Sequence, residues 1–327
     1  MRVYLIRRLL LIIPTVFLTS IIIFFAIRLV PGSVIDIMES QYSAFYHVDR
    51  AELEKRLGLD VSAVKQYGRW IGVTAQADGK IHGILEGDFG QSIWHQNSVL
   101  NDQIGERWQI TLELTLMSLI IGLLIALPIG IFSALRQNSW GDYVARTFTI
   151  LCIAVPSFWL GTLVIVYPSI WWNFTISIQY VKINVDPLKN LGNFILPAVV
   201  LGMGMAGVTM RMMRTMMLEV LRQDYVRTAW AKGLRERVVV MRHALKNALI
   251  PVITIIGMQV SFLIGGDVII EQIFNLPGLG RLLVTATQQR DYPIVQGVLL
   301  FFALAMVLIN LLVDLTYGFF DPRVSYK

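Results

Sequence analysis

The chain has 327 residues, of which 55% are hydrophobic and only 15% are charged. A soluble domain carries about 25% charged residues, so this deficit indicates that lipid surrounds much of the protein. The net charge of +6 is concentrated in segments that flank apolar runs, a pattern that argues against nucleic acid as a partner and favours a lipid bilayer. One cysteine is too few for a disulfide framework, and four histidines leave few ligands for a metal site.

Six apolar runs are long enough to cross a bilayer core, which takes about 20 helical residues. Their apolar residues follow one another without period-two alternation, which favours helices over a barrel. We therefore predict an all-α membrane protein with six transmembrane helices. The runs are Leu9–Val30, Ile110–Leu135, Phe148–Trp172, Phe194 to about Met210, Leu249–Ile270 and Ile294–Phe320.

The distribution of charge predicts the orientation of these spans. The segment Arg211–Lys246, between spans four and five, has 9 basic and 3 acidic residues. The loop Pro31–Arg107, between spans one and two, has 7 basic and 11 acidic residues. Because cytoplasmic loops carry the excess of Lys and Arg, we expect both termini in the cytoplasm and the long loop outside the cell.

Three parts of the chain follow from this topology. Residues 1–30 form the cytoplasmic N-terminus and the first span, residues 31–107 form a small external subdomain, and residues 108–327 form a five-helix domain with a cytoplasmic loop at 211–247. The external loop is too long for a simple connection.

Two features of the external loop carry more specific predictions. Asp49 opens a helix that Gly58 ends. Tyr67, Trp70 and Ile71 form an apolar cluster that either rests on the membrane surface or presents a platform to a soluble partner.

Sequence motifs for catalysis are absent. The chain has no G-x-x-x-x-G-K-[ST] phosphate loop, no H-E-x-x-H and no G-x-S-x-G. Ionisable residues inside the spans are few, and no two of them form an evident catalytic set; Arg28 and Glu113 lie near span ends, where long charged side chains reach the interface at little cost. We therefore expect a protein that moves a solute rather than one that catalyses a reaction.

The most informative stretch is the segment between spans four and five. Asp224 can cap a short helix that Gly233 ends, and a second amphipathic helix then leads into span five. A short helix held between two longer ones can enter a groove on a cytoplasmic partner and transmit its motion. The alternative is a basic amphipathic segment that lies on anionic lipid.

The residues Arg227-Thr228-Ala229 followed by Gly233 resemble the Glu-Ala-Ala and Gly pattern in the cytoplasmic loop of the membrane subunits of binding-protein-dependent ABC importers. The likeness is closest to the dipeptide, oligopeptide and nickel group, whose members often lack the Glu. Pro251 lies further along the chain, relative to this loop pattern, than the corresponding proline of the sugar importers. Arg7-Arg8-Leu9 and Val30-Pro31-Gly32 resemble the first of the two membrane subunits. Further matches in the same order are Gly87–Ser92, Ile195–Ala198, Met217–Leu221, Glu271–Arg281, Arg290–Gly297, Asn310–Asp314 and Asp321–Arg323.

This resemblance implies a permease subunit in the cell inner membrane that pairs with a sister permease subunit. It also implies two ATP-binding subunits or domains, which hold ATP and Mg²⁺, and an external solute-binding protein; the chain itself would bind no cofactor. The cargo would be di- or oligopeptides, with a nickel chelate, a sugar or another small solute as the alternative. The residues that would couple the chain to the ATPases are Asp224, Tyr225, Arg227, Thr228, Ala229, Ala231, Lys232, Gly233, Leu234 and Arg235.

Span five begins just after the coupling segment, so it is well placed to move with it. Gln259 lies near mid-span, where an amide in lipid is costly, and should therefore face protein or water. A hydrogen bond to a neighbouring helix would satisfy the Gln259 amide as well as contact with cargo would. The candidate path residues are Met203, Met205, Met258, Gln259, Ser261, Asp267 and Glu271. A stand-alone secondary transporter or channel remains the alternative of a different class, although it would need ion-coupling acids near the midplane.

Overall fold

The computed structural model describes residues 2–42, 50–76, 79–173, 180–266 and 268–320. Within these ranges the chain is helical, and extended pairing is limited to an isolated bridge between Gln91 and Ser98. Short 3₁₀ and π segments supplement the α-helices. In chain order the α-helices are α1 (Arg2–Arg28), α2 (Val34–Tyr42), α3 (Arg50–Arg56), α4 (Ala63–Ile71), α5 (Gly105–Leu135), α6 (Trp140–Ala154), α7 (Ser157–Trp172), α8 (Pro187–Leu221), α9 (Asp224–Ala231), α10 (Glu236–Val238), α11 (Leu245–Gly266), α12 (Val268–Ile273), α13 (Leu279–Gln288) and α14 (Tyr292–Phe320).

Five stretches of the described chain are long and apolar enough to cross a membrane, and a bent pair of helices raises the number to six. The five stretches correspond to predicted spans one, two, four, five and six, and the bent pair corresponds to span three. The all-α membrane fold predicted from composition is therefore confirmed.

The third span differs from the single helix predicted for Phe148–Trp172. Helices α6 and α7 meet at an angle of 95° around Val155 and Pro156. Val155 has an extended backbone with φ −83° and ψ 118°, as expected for a residue whose helical conformation clashes with a following proline ring. The prediction of one continuous helix was wrong because the length of an apolar run does not show where a proline breaks the helix.

Helices α8 and α11 also differ from their predicted bounds. The helix predicted to end near Met210 continues to Leu221, so that α8 has 35 residues and leads almost directly into α9. Helix α11 begins at Leu245 after a π-helical turn at Val239–Ala244 and ends at Gly266. Apolar run length marks the bilayer part of a helix and not where the helix itself ends.

The first compact unit comprises Met1–Gln109 and Pro277–Ala305. Its aromatic cluster packs against the first span: the Phe24 ring lies 5.2 Å from that of Tyr67 and 5.7 Å from that of Trp70, and the Tyr67 hydroxyl lies 2.9 Å from Ser20 Oγ. Tyr67 and Trp70 thus pack within the unit, and the two roles predicted for the cluster stay predictions. Gly58, with φ +67°, follows α3 as predicted, whereas Asp49 lies outside the described residues.

The second compact unit comprises Ile110–Leu276 and Met306–Lys327. Helices α5 and α8 approach closely through glycines: a Cβ placed on Gly202 would lie 2.8 Å from the Ser118 carbonyl oxygen. Gly130 in turn faces Met213, whose Cβ would be 2.8 Å from an added methyl group. Small residues let helix backbones pack at short range in a membrane, where apolar burial alone gives no preference for protein over lipid. The predicted division at residues 30 and 107 stays a prediction.

Candidate functional site

Helix α9 is anchored by one face and leaves the other free. Val226 is fully buried and Ala229 is 6% exposed, and both pack with Val239, Val220 and Leu221. Residues three apart lie on the same face of a helix, so these two side chains fix the orientation of α9. Ala229, predicted to contact a partner, instead belongs to this anchoring face.

The ends of α9 correct one prediction and confirm another. Asp224 is the first helical residue and not the N-cap, which is Gln223 and makes no side-chain capping bond. Asp224 instead lies 3.7 Å from Arg227 in a well-exposed ion pair of little energetic weight. Gly233 follows the end of α9, as predicted; it has φ +76°, a left-handed conformation, and an added Cβ would meet nothing within 4 Å. Backbone conformation, and not crowding, therefore calls for glycine at this position.

The free face of α9 carries large apolar side chains beside positive charge. Tyr225 and Trp230 of α9 are 44% and 42% exposed, and Leu234, in the turn after α9, is 40% exposed. Asn247 Nδ2 donates a 2.9 Å hydrogen bond to the Tyr225 hydroxyl, which joins α9 to the first turn of α11. An anchored helix with exposed aromatic and basic residues is suited to docking into a protein groove. The other exposed residues of the predicted coupling set are Arg227, Thr228, Ala231, Lys232 and Arg235.

A buried ion pair between helices α6 and α8 was not predicted. Arg214 donates two hydrogen bonds of 3.0 Å to the two carboxylate oxygens of Asp142, which is fully buried. Ser133 of α5 donates a 2.6 Å hydrogen bond to the same carboxylate, and the Asn138 backbone N–H donates another at 3.0 Å. The contacts tie three helices together close to where α8 leads into α9. A sequence signal exists in hindsight: Ser139 and Asp142 have the spacing of a capping pair, and Ser139 caps α6.

The predicted path residues lie mostly within helix–helix contacts of the second unit. Gln259 donates a 3.0 Å hydrogen bond to Thr209 of α8, and Ser261 donates one of 3.0 Å to Asn310 of α14. Glu271 is fully buried and accepts a 2.7 Å hydrogen bond from Thr111. Of the two expectations for Gln259, the bond to a neighbouring helix is the one that the structure contains.

The predicted methionines divide into two groups. Met205 is 5% exposed and packs in the core of the second unit, and Met203 is half-buried. Met258 is 67% exposed and lies one turn from Phe262, which is 75% exposed. This exposed stripe of α11 is the part of span five that is open to a partner, to cargo or to lipid. Asp267 lies outside the described residues.

A search of the described ranges for metal sites finds no group of three or more His, Cys, Asp or Glu residues that could hold an ion. Cys152 is buried between α6 and α8.

Comparison with known proteins gives a consistent match over the whole chain. Residues 126–326 match the family model described as the inner-membrane component of binding-protein-dependent transport systems. The chain is 36% identical over 332 residues to the glutathione transport system permease protein GsiC of Escherichia coli (strain K12), with 99% of both chains covered. It is also 36% identical over 329 residues to the GsiC protein of Salmonella paratyphi A (strain ATCC 9150 / SARB42), again with 99% of each covered.

A solved structure of the MetNI methionine ABC transporter in an inward-facing conformation shares the fold. The TM-score is 0.55 and the identity 17%, and the alignment covers 67% of this chain and 96% of that chain. The family match spans more than half of the chain and agrees with the predicted resemblance. The chain belongs to the family of inner-membrane permease components of binding-protein-dependent ABC importers, of the peptide and nickel type.

Proposed function

We propose that this permease forms, with a sister permease subunit, the translocation path for short peptides that an external solute-binding protein delivers. Two partner ATP-binding subunits or domains supply ATP hydrolysis with Mg²⁺, and this chain binds no cofactor. The observation that carries the proposal is helix α9, which is fixed by Val226 and Ala229 while its aromatic and basic face is free. Glutathione, the cargo in the name of the relatives, is the first candidate because it is peptide-like.

The geometry supports a route for mechanical coupling. Helix α9 follows α8 after two residues, and its Tyr225 is bonded to Asn247 of α11. A push on the free face of α9 would therefore act on two long helices at once. Helices α8 and α11 are themselves joined by the bond between Gln259 and Thr209. Packed helices switch between discrete arrangements rather than deform continuously, so a small displacement at α9 would be converted into a rearrangement of the bundle.

The decisive experiment has two stages. The tagged chain is purified in mild detergent, and we expect a second permease subunit and ATP-binding chains to co-purify. The complex is then reconstituted in liposomes with its solute-binding protein, and uptake of labelled glutathione, dialanine and nickel is compared with and without ATP. ATP-dependent uptake of glutathione or dialanine supports the proposal. Uptake of nickel alone would assign the other cargo class, and uptake without any ATPase would point to a stand-alone transporter.

Substitution of Gly233 tests the coupling role. A β-branched residue in the left-handed conformation costs about 1–2 kcal/mol, so Gly233→Val should lower uptake by about 5- to 30-fold with the protein still inserted. Gly233→Asn should retain most of the activity, because Asn tolerates this conformation and the space around Gly233 is open. Equal, wild-type uptake in both variants would show that this turn is not part of the coupling route.

Substitution of Gln259 tests the role of α11. Gln259→Leu removes a hydrogen bond that contributes about 0.6 kcal/mol in membrane proteins, so uptake should fall only about two- to threefold. Thr209→Val removes the same bond from the other side and should have a similar effect. Gln259→Arg should block uptake, because a charge within a span costs about 2.5–3.5 kcal/mol and displaces the helix. Wild-type uptake in Gln259→Arg would place the path away from this face.

Cysteine labelling tests the proposed orientation, with both termini in the cytoplasm. In a background with Cys152 replaced by alanine, Gln288→Cys should react with a membrane-impermeant maleimide in intact spheroplasts. Thr228→Cys on α9 should react only after permeabilisation. Both positions are exposed, so access to reagent and not burial decides the result. The reverse pattern would invert the topology.

A further inference from the structure

The first unit contains a cavity of about 470 Å³, which we call the Arg/Gln cavity. Its volume lies within the range of small-molecule sites, which is about 300–1,000 Å³. Two arginines, Arg28 and Arg69, line it together with five glutamines, and none of the lining residues is acidic. On the proposed orientation, the cavity lies on the external side of the membrane.

The guanidinium of Arg28 is held in place by neutral groups. It donates hydrogen bonds of 2.7 and 3.3 Å to Gln66 Oε1 and one of 3.0 Å to the Phe24 carbonyl oxygen. It also lies 3.5 Å from the centre of the Phe24 ring. No acid of the described residues lies within ion-pair distance of Arg28. Because a guanidinium has five N–H donors, two remain for a ligand, and the fixed charge favours an anion.

Two further donors belong to lining residues of the same cavity. Trp70 Nε1 and Gln296 Nε2 are buried and have no hydrogen-bond partner, and the Gln296 side chain is 3% exposed. Buried donors in proteins are almost always bonded, so such a pair at one cavity requires an explanation. The terminal torsion of a glutamine is soft, so the Gln296 amide is free to turn toward an acceptor in the cavity that it lines. A ligand with acceptor oxygens would satisfy both groups.

We infer that the Arg/Gln cavity binds the carboxylate end of a short peptide, with Arg28 as its anchor. The planar guanidinium matches a carboxylate, and glutamine side chains both donate to and accept from peptide amides. Gln66 and Gln76 already bond to protein groups. A bare inorganic anion would bind the arginines alone, whereas the side-chain amides of Gln91, Gln96 and Gln296 favour a ligand that has amides of its own. This inference rests on the proposed peptide cargo and adds a reception site on this chain, separate from the helix contacts of α11.

The test uses the full chain with its sister subunit in lipid nanodiscs, and calorimetric titration with N-acetyl-trialanine and with its C-terminal amide. These probes differ only in the carboxylate. We expect the amide to bind about 10- to 100-fold more weakly, the range for loss of a hydrogen-bonded charge. Arg28→Gln should weaken the carboxylate probe by a similar factor and abolish the difference between the probes. Arg50→Gln, an exposed arginine of the same unit outside the cavity, should change neither affinity.

A second variant keeps the inference testable if Arg28→Gln fails to fold. Gln296→Leu removes a buried amide nitrogen that has no hydrogen-bond partner, so it should not lower the melting temperature, yet it should weaken the carboxylate probe about 2- to 10-fold. Equal binding of both probes by the wild type, wild-type affinity in folded Arg28→Gln and Gln296→Leu, or displacement of the probe by equimolar inorganic phosphate would overturn the inference. Peptide uptake without cavity binding contradicts this inference alone, and cavity binding without peptide uptake contradicts the proposed function alone.

Discussion

Replacing Arg214 by alanine should lower the free energy of unfolding by about 3–5 kcal/mol, because it leaves a buried carboxylate without its main partner. Asp142 is fully buried and receives both of its guanidinium hydrogen bonds from Arg214. Arg146, 3.5 Å from one oxygen of Asp142, compensates in part and places the expected loss near the lower end of that range. The measurement is an equilibrium unfolding titration in mixed detergent micelles.

Two matched variants separate the ion pair from a general effect of charge. Arg211→Ala removes an exposed arginine one turn earlier on the same helix and should cost less than about 0.5 kcal/mol. The double variant Asp142→Asn with Arg214→Gln removes both charges and should recover more than half of the loss, since no unpaired charge stays buried. Equal stability of Arg214→Ala and Arg211→Ala would show that the pair contributes nothing.

Gly202→Ala should destabilise the contact between α5 and α8 by about 1–3 kcal/mol. The added methyl group would lie 2.8 Å from the Ser118 carbonyl oxygen and 3.1 Å from the Gly122 backbone nitrogen, and a backbone cannot yield as a side chain can. The two helices would have to move apart, and the same titration measures the cost.

Gly204 provides the control on the same helix. A Cβ at Gly204 would meet nothing within 4 Å, so Gly204→Ala should be neutral or stabilising by up to about 1 kcal/mol through helix propensity. If the two variants have the same stability, the approach of α5 and α8 is looser than the structure indicates. Uptake by Gly202→Ala should fall in parallel with its stability.

The sequence was sufficient for the fold class because a membrane span is a local property. Length and apolar content of one stretch decide whether it crosses a bilayer, and no distant residue is needed. The break at Pro156 was missed because a proline inside a span is compatible with either a kink or a full turn of the chain. Packing around it decides between the two.

The candidate sites were predictable only where they are local. The end of the short helix at Gly233 depends on that helix and on one glycine, and it was predicted. The pair Asp142 and Arg214 spans 72 residues, and the bond from Arg28 to Gln66 spans 38. Neither can be derived from spacing, because each depends on which helices become neighbours. Sequence position likewise placed Arg28 near a span end, but its position over the Phe24 ring and beside a cavity depends on which helices become neighbours.

The π-helical turn at Val239–Ala244 sets the rotational phase of the helix that follows it. Such a turn accommodates one residue more than an α-helical turn, and each residue of an α-helix advances by about 100°. All of α11 is therefore rotated by about that angle relative to an uninterrupted helix. The inward seam of Val240, Ala244, Ala248 and Val252 keeps its alignment through the turn. The π turn beside α9 consequently decides which side of α11 presents Met258 and Phe262, which lie about four and five turns further along the chain.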